Sequence, residues 1–272
     1  MATASREAYG AAEEKLAAGT AKATAAQRTT VADEILSVAG LLRGEARLRR
    51  ALTDPARPGR DRADLLVSLL GGKLSEITVD ALAVLVAGRW SRPSELLSAT
   101  ERLGVDAVLS AADKTGKLAD VEDELFRFGQ IVSGNPELSV TLSDPGAHVS
   151  RRVKLVEDLL KSKVQPATTR LIQVALEGFG GRSFDTSLTR LVELTAAKRD
   201  REVAYVTVAK PLNDADEQRL SEKLSEIYGR QVSLKVDVDP RVIGGVSVRV
   251  GSDLYDGTIL RRLNEAKQAF AK

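Results

Sequence analysis

From residue 5 to about residue 200, apolar side chains recur every three or four positions, the spacing of one face of an α-helix. Ala8, Tyr9, Ala12 and Leu16 share a stripe on an Ala-rich segment over 5–24. Val31, Ile35, Val38 and Leu42 form the stripe of the next helix, for which Thr29 or Thr30 is the expected N-cap. Gly44 interrupts that pattern, and a short helix carrying Leu48 and Leu52 runs to Asp54-Pro55. Leu65, Leu66, Leu69 and Leu70 predict a helix over 61–71, and Ile77, Ala81, Leu82 and Leu85 one over 76–87. Pro93 suits the first turn of a helix over 92–111, with Ser91 as its cap. After Gly116, Leu118, Val121, Leu125, Phe128 and Val132 begin another stripe.

That last stripe starts a second reading of the same text. Val31, Asp33, Glu34 and Ile35 reappear as Val121, Asp123, Glu124 and Leu125, an offset of 90 positions. At the same offset Gly44 meets Gly134, Leu52 meets Leu142, Asp54-Pro55 meets Asp144-Pro145, and Gly88 meets Gly178. Matched leucines are cheap in a Leu-rich helical chain, whereas punctuation kept at one constant offset is not. The pattern is an internal duplication, with copies over 31 to about 110 and 121 to about 200.

From residue 202 the period falls to two. Ala204, Val206 and Val208 alternate with polar or aromatic neighbours up to Pro211, and Asn213 or Asp214 caps a helix with Leu220, Leu224 and Ile227 that Gly229 closes. Val232, Leu234, Val236 and Val238 make a half-buried strand, and Val246, Val248 and Val250 a second, before a turn at 251–253. A final helix carries Leu260, Leu263 and Phe270. The expected fold is mainly α: an N-terminal helical bundle with a duplicated helical module, plus a small C-terminal α/β domain. The expected boundaries are 1–112, 113–200 (the second, inserted copy) and 201–272.

Composition removes most chemistry. Without Cys there are no disulfides, thiolate metal sites or Cys nucleophiles, and His148 alone builds no multi-His centre. No catalytic, metal or cofactor site is expected. His148 reads as a surface-loop residue, and Asp33-Glu34 and Asp123-Glu124 as solvated charges near helix starts. Gly244-Gly245 lacks the surroundings of a phosphate loop and reads as a backbone bend. Trp90 suits a core position and a groove anchor equally well. The net charge of +2 gives no field to recruit nucleic acid or anionic lipid. Between Arg43 and Arg62, however, seven arginines face three acidic residues. A solvated face or an acidic protein partner is preferred there over RNA, because no aromatic platform is interleaved. The N-terminus lacks the apolar core of a secretory signal, and the run 81–87 falls short of the ~20 residues that span a bilayer.

The C-terminal text is specific. Val232, Leu234, Val238, Asp239, Gly244, Gly245, Val246, Val248 and Gly251, followed by Asp256-Gly257-Thr258 and Arg261-Arg262-Leu263, resemble the closing signature of the F-type ATP synthase delta subunit, whose mitochondrial counterpart is the oligomycin-sensitivity-conferring protein. Lys210-Pro211-Leu212-Asn213-Asp214, Tyr9-Gly10-Ala11-Ala12 and Ala87-Gly88-Arg89 are similar to further motifs of that family in the same order. The departure is the helical set, which occurs twice here, as in longer actinobacterial-type members.

The resemblance implies a non-catalytic stator subunit on the peripheral stalk. Its helical bundle would receive amphipathic helices of the α subunits of the catalytic head, with β subunits as further candidates. Its C-terminal unit would grip the membrane-anchored b subunit. One copy per complex is implied, at the cytoplasmic face of the bacterial plasma membrane and held there through partners. Tyr9, Ala12, Leu16, Leu82, Leu85 and Val86 are the candidate groove for an α-subunit helix, and Leu260, Leu263 and Phe270 the candidate b contact, although each set also suits a core. Two alternatives stay open: an unrelated α-helical adaptor, and an RNA-associated protein using the Arg43–Arg62 cluster.

Overall fold

The computed structural model describes residues 3–144, 146–199, 201–229, 231–242, 244–250, 253–257 and 259. The chain divides into two compact units, Met1–Leu191 and Val192–Lys272. The first is all helical: α1 (Thr3–Thr20), α2 (Ala25–Gly44), α3 (Ala46–Leu52), α4 (Gly59–Leu70), α5 (Glu76–Ala87), α6 (Pro93–Lys114), α7 (Leu118–Ser133), α8 (Pro136–Ser143), α9 (Val149–Leu160), α10 (Pro166–Leu176) and a 3₁₀ turn at Phe179–Gly181. The boundary between the units falls within α11 (Phe184–Lys198).

The duplication extends from text to packing. Helix α4 and helix α9 begin and end at positions 90 apart, and α3/α8 and α5/α10 begin so. Ile35 and Leu125, Leu42 and Val132, Leu52 and Leu142, Leu66 and Val156, and Leu82 and Ile172 are all buried pairs at this offset. Helix α6 is the common element. Leu96, Ala99, Leu103 and Leu109 are fully enclosed, each leucine contributing about 1.5–3 kcal/mol of apolar burial. Gly104 lets α2 come close, since a Cβ there would lie 2.5 Å from Leu36 Cδ2.

Three local expectations are corrected. Helix α2 starts earlier than its apolar stripe, because Thr24 and Gln27 form a capping box, while Thr29 and Thr30 sit inside and hydrogen-bond back to the Ala25 and Ala26 carbonyls. Arg92, not Ser91, occupies the N-cap of α6. The Asp-Glu pairs lie within their helices and not in the first turn; Asp33 and Asp123 are exposed, as expected, but Glu34 and Glu124 are half-buried and bonded. Glu34 accepts from the Ser75 amide (3.0 Å), the Ser75 hydroxyl (2.6 Å) and the Thr78 hydroxyl, clasping the start of α5. Glu124 repeats the clasp on α10 through the Gln165 amide (2.8 Å) and the Thr168 hydroxyl. Asp33 instead pairs with Arg170 across the copies at 2.9 Å.

The Arg43–Arg62 cluster is also not one solvated face. Arg43 pairs with Glu101 (2.9 Å) and Glu177 (2.6 Å), tying the first copy to the second. Arg49 donates to the carbonyls of Leu42 and Arg43 at the end of α2. Arg62 is buried and caps five carbonyls, those of Asp54, Arg57, Val86, Ala87 and Gly88. These three arginines are spent on free C-terminal carbonyls and on joining the copies, both internal tasks.

In the second unit, β1 (Arg201–Val208), α12 (Asp214–Tyr228), β2 (Gln231–Val238), β3 (Val246–Val250) and β4 (Asp253–Asp256) form a four-stranded sheet ordered β2-β1-β3-β4. Strands β1 and β2 are parallel, and β1–β3 and β3–β4 antiparallel. Asn213 caps α12, and Gly229 ends it in the left-handed region. Ala204, Val206, Val208, Leu224, Val232, Val248 and Val250 form the core. Strand β4 and the burial of Lys235 depart from the sequence expectation, which placed only a turn at 251–253 and turned Lys235 outward.

For Glu34, burial works against the charge, but hydrogen bonds from Ser75 and Thr78 outweigh it and hold the carboxyl below the ordinary glutamate range. A depressed carboxylate contributes stability that is complete above its unfolded value of about 4.3 and is lost as pH falls through its folded value. Glu34→Gln is expected to destabilise the bundle by about 1–3 kcal/mol at neutral pH and to flatten the acid limb of the stability profile below about pH 4.5. Urea denaturation from pH 7 to 3 measures both. An acid limb unchanged by the substitution refutes the clasp.

Candidate functional site

The candidate site is the packing of α1 on α5 and α6. Alanines dominate the inner face of α1, so its backbone lies close to its neighbours, and Ala8, Ala12 and Leu16 are buried there. At the end of α5, Gly88 leaves the space that Ala8 fills. Ion pairs and hydrogen bonds then fix the helix along its length. Ser5 donates to Glu95 at 2.8 Å, the Tyr9 hydroxyl donates to Asp106, and Lys15 pairs with Asp80 at 2.9 Å. Asp106 also takes the Arg102 guanidinium at 3.1 Å. Burial and the Asp106 charge push the Tyr9 hydroxyl up, so it stays protonated and keeps donating. The Ser5 hydrogen bond holds the Glu95 carboxyl below its usual range.

Of the six groove candidates, Ala12, Leu16, Leu82, Leu85 and Val86 are buried within the chain, and only Tyr9 is half-buried. Their apolar surface is used inside the bundle. What α1 and α5 leave accessible is the rim of the seam, where Ile77 and Val84 are half-buried and Ala11, Ala18 and Ala87 are exposed. Sequence reading missed Ser5, Lys15, Asp80, Glu95, Arg102 and Asp106. The signal for Asp106 was present: a charged residue inside the apolar stripe of α6 needs a partner when that stripe is buried.

In the second unit the signature residues shape a turn-rich end of the sheet. The Asp239 carboxylate accepts from the Arg241 amide (2.9 Å) and guanidinium, which hold it below the usual carboxylate range. Gly244 and Gly245 have φ of +147° and +86°, a bend that side chains disfavour. The Gly257 amide donates to the Val246 carbonyl at 2.9 Å. Val232 and Val248 are buried, Leu234 and Val246 half-buried, and Val238 exposed at the end of β2. Asp256 is the last residue of β4. Gly251, Leu260, Leu263 and Phe270 lie outside the described residues. His148 is exposed at the N-cap position of α9, and Trp90 is 9% exposed with its Nε1 donating to the Leu85 carbonyl at 3.1 Å. Among the described residues, no helix is long and apolar enough to cross a membrane.

A methyl group at position 88 would lie 2.2 Å from the Ala8 Cβ and 3.3 Å from its Cα. Gly88→Ala is therefore expected to push α1 off α5 and cost about 1–3 kcal/mol. Urea denaturation gives the cost, and hydrogen exchange over residues 3–20 locates it. Unchanged protection of α1 would contradict the close approach.

Comparison with known proteins adds the family. The family model described as ATP synthase delta (OSCP) subunit matches residues 105–270, more than half of the chain, and spans the end of α6, the second copy and the α/β unit. The ATP synthase subunit delta of Salinispora arenicola is 60% identical over 272 residues, covering 100% of this chain and 99% of the relative. That of Streptomyces griseus is 45% identical over 271 residues, covering 100% of both. A third, from Parafrankia, is 43% identical over 280 residues, again with 100% of both covered. The duplicated chain length is thus shared by actinobacterial relatives, and this chain belongs to the ATP synthase delta (OSCP) subunit family.

Proposed function

We propose that this chain is the joint of the stator, binding α subunits of the catalytic head at one unit and the membrane-anchored b subunit at the other, so that the head is held still while the rotor turns. Members of this family are structural subunits of the ATP synthase and components of its peripheral stalk. The observation that carries the reading is the pairing, on one chain, of a helical bundle with a separately cored α/β unit, the organisation of a two-ended connector. In this reading, proton flow is spent on ATP synthesis because torque on the head is resisted. Membrane association runs through the partners, on the cytoplasmic face.

For the α-subunit contact we assign the rim of the α1–α5 seam. An amphipathic helix laid along it would meet Ile77 and Val84, with the buried Ala12, Leu16, Leu82, Leu85 and Val86 setting the spacing beneath and Tyr9 anchoring α1 to α6. For the b contact we assign the C-terminal segment with Leu260, Leu263 and Phe270. The second copy lengthens the head-to-stalk joint.

Affinity capture of the full chain from detergent-solubilised membranes is expected to bring down the α and b subunits together, and recovery of neither refutes the assignment. Val84→Asp is expected to reduce α recovery by about tenfold while b stays bound, and Leu263→Asp to do the reverse. Equal loss of both partners in either variant would overturn the division of labour between the units.

A further inference from the structure

We propose that one end of the helical unit, where the α3–α4 and α5–α6 loops meet, is a docking site for an acidic, extended peptide segment of a protein partner. This goes beyond the stator reading and concerns a cleft that adjoins the end of the α1–α5 seam, with Ala87 common to both. The loops enclose a cleft of about 770 Å³ whose walls include Pro55, Pro58 and Trp90 and whose charged lining is Arg57, Arg62 and Arg89. No acidic residue lines it among the described residues.

The charge in this cleft is poorly compensated. Arg62 is 5% exposed, and its guanidinium is satisfied by five backbone carbonyls; among the described residues it has no carboxylate partner. Carbonyl dipoles hold the group in place without cancelling its unit charge. Among the described residues, the Arg57 guanidinium pairs with Asp54 alone, at 3.7 Å, and Arg89 is exposed with no ion pair.

The duplication separates what the fold needs from what it does not. At the equivalent positions of the second copy, Arg62 is matched by Arg152, which is also buried and also donates to a carbonyl, that of Leu142 at 2.8 Å. Arg57 and Arg89 are instead matched by Ala147 and Phe179, and Trp90 by Gly180. The second copy takes a different turn here, with Gly178 left-handed and Phe179 buried, so the outer arginine pair belongs to the loops of the first copy alone.

An acidic peptide fits better than a polyanion. The cleft is concave and lined by two prolines, which suits a short extended segment. The Trp90 ring is nearly covered and its N–H is committed to Leu85, so no base-stacking platform is offered. A net charge of +2 gives no long-range attraction for RNA or an anionic membrane.

Trp90 is the only tryptophan of the chain and lines the cleft, so its emission reports occupancy. The probe is an alternating Glu-Ala decapeptide, compared at low ionic strength with its Gln-Ala counterpart, a 20-mer of poly-U RNA and phosphatidylglycerol vesicles. The acidic peptide is expected to shift Trp90 emission saturably, with affinity falling as salt rises. Arg57→Ala/Arg89→Ala is expected to weaken it by about tenfold with the helical circular dichroism signal unchanged. Arg57→Lys/Arg89→Lys keeps most of the affinity, and Arg219→Ala on the other unit keeps all of it. The proposal is overturned if the Gln-Ala peptide binds equally well, if the double alanine variant binds as tightly as the parent, or if only RNA or vesicles bind.

Discussion

Helix α6 carries two carboxylates into the interior, Glu101 at 2% and Asp106 at 6% exposure, and the first unit is arranged around the need to neutralise them. A buried carboxylate without partners costs several kcal/mol, so each must be met by a cation or by hydrogen-bond donors. Asp106 draws in Arg102 on its own helix and Tyr9 from α1. Glu101 draws in Arg43 from α2 and the Gly180 amide (2.7 Å) from the 3₁₀ turn of the second copy. One acid therefore fixes the N-terminal helix and the other joins the two copies. Apolar burial supplies most of the stabilisation around α6, but it is non-directional; the charges choose the neighbours.

The same logic accounts for how a duplicated chain avoids pairing its copies at random. At equivalent positions, α5 presents Asp80 to Lys15 of α1, and α10 presents Arg170 to Asp33 of α2. The sign of the charge is inverted between two otherwise matching faces. Each such pair, partly exposed, contributes at most about 1 kcal/mol. A wrong pairing would set like charges together, so the penalty for error exceeds the gain from the correct contact. The duplication thus carries a distinction that its apolar pattern lacks.

The two copies are held in a defined arrangement by more than apolar contact. The Arg43–Glu101–Glu177 network and the Asp33–Arg170 pair fasten the copies at two points along α2, and the Glu34 and Glu124 clasps fix where α5 and α10 begin. These links use hydrogen-bonded charges with defined geometry and resist sliding in a way that a purely apolar interface does not.

Among the described residues, the helices, the duplication and its offset, the change of period near residue 202, and the strands β1, β2 and β3 are legible in the chain. These follow from local rules, apolar spacing and glycine and proline punctuation, whereas the caps of α2 and α6 fall elsewhere than expected. The sequence did not determine β4, whose Leu254 and Tyr255 are exposed and show no alternation; that strand exists because β3 offers an edge to pair with. Nor did it reveal that Glu34 closes on residues 75 and 78, that Arg62 is buried, or that Ala12, Leu16, Leu82, Leu85 and Val86 face inward and not into an open groove. Apolar spacing marks a face that wants to be buried, without saying whether this chain or a partner buries it. A charge in a sequence likewise says nothing of which distant residue answers it. Both depend on contacts between helices far apart in the chain, which no local pattern encodes.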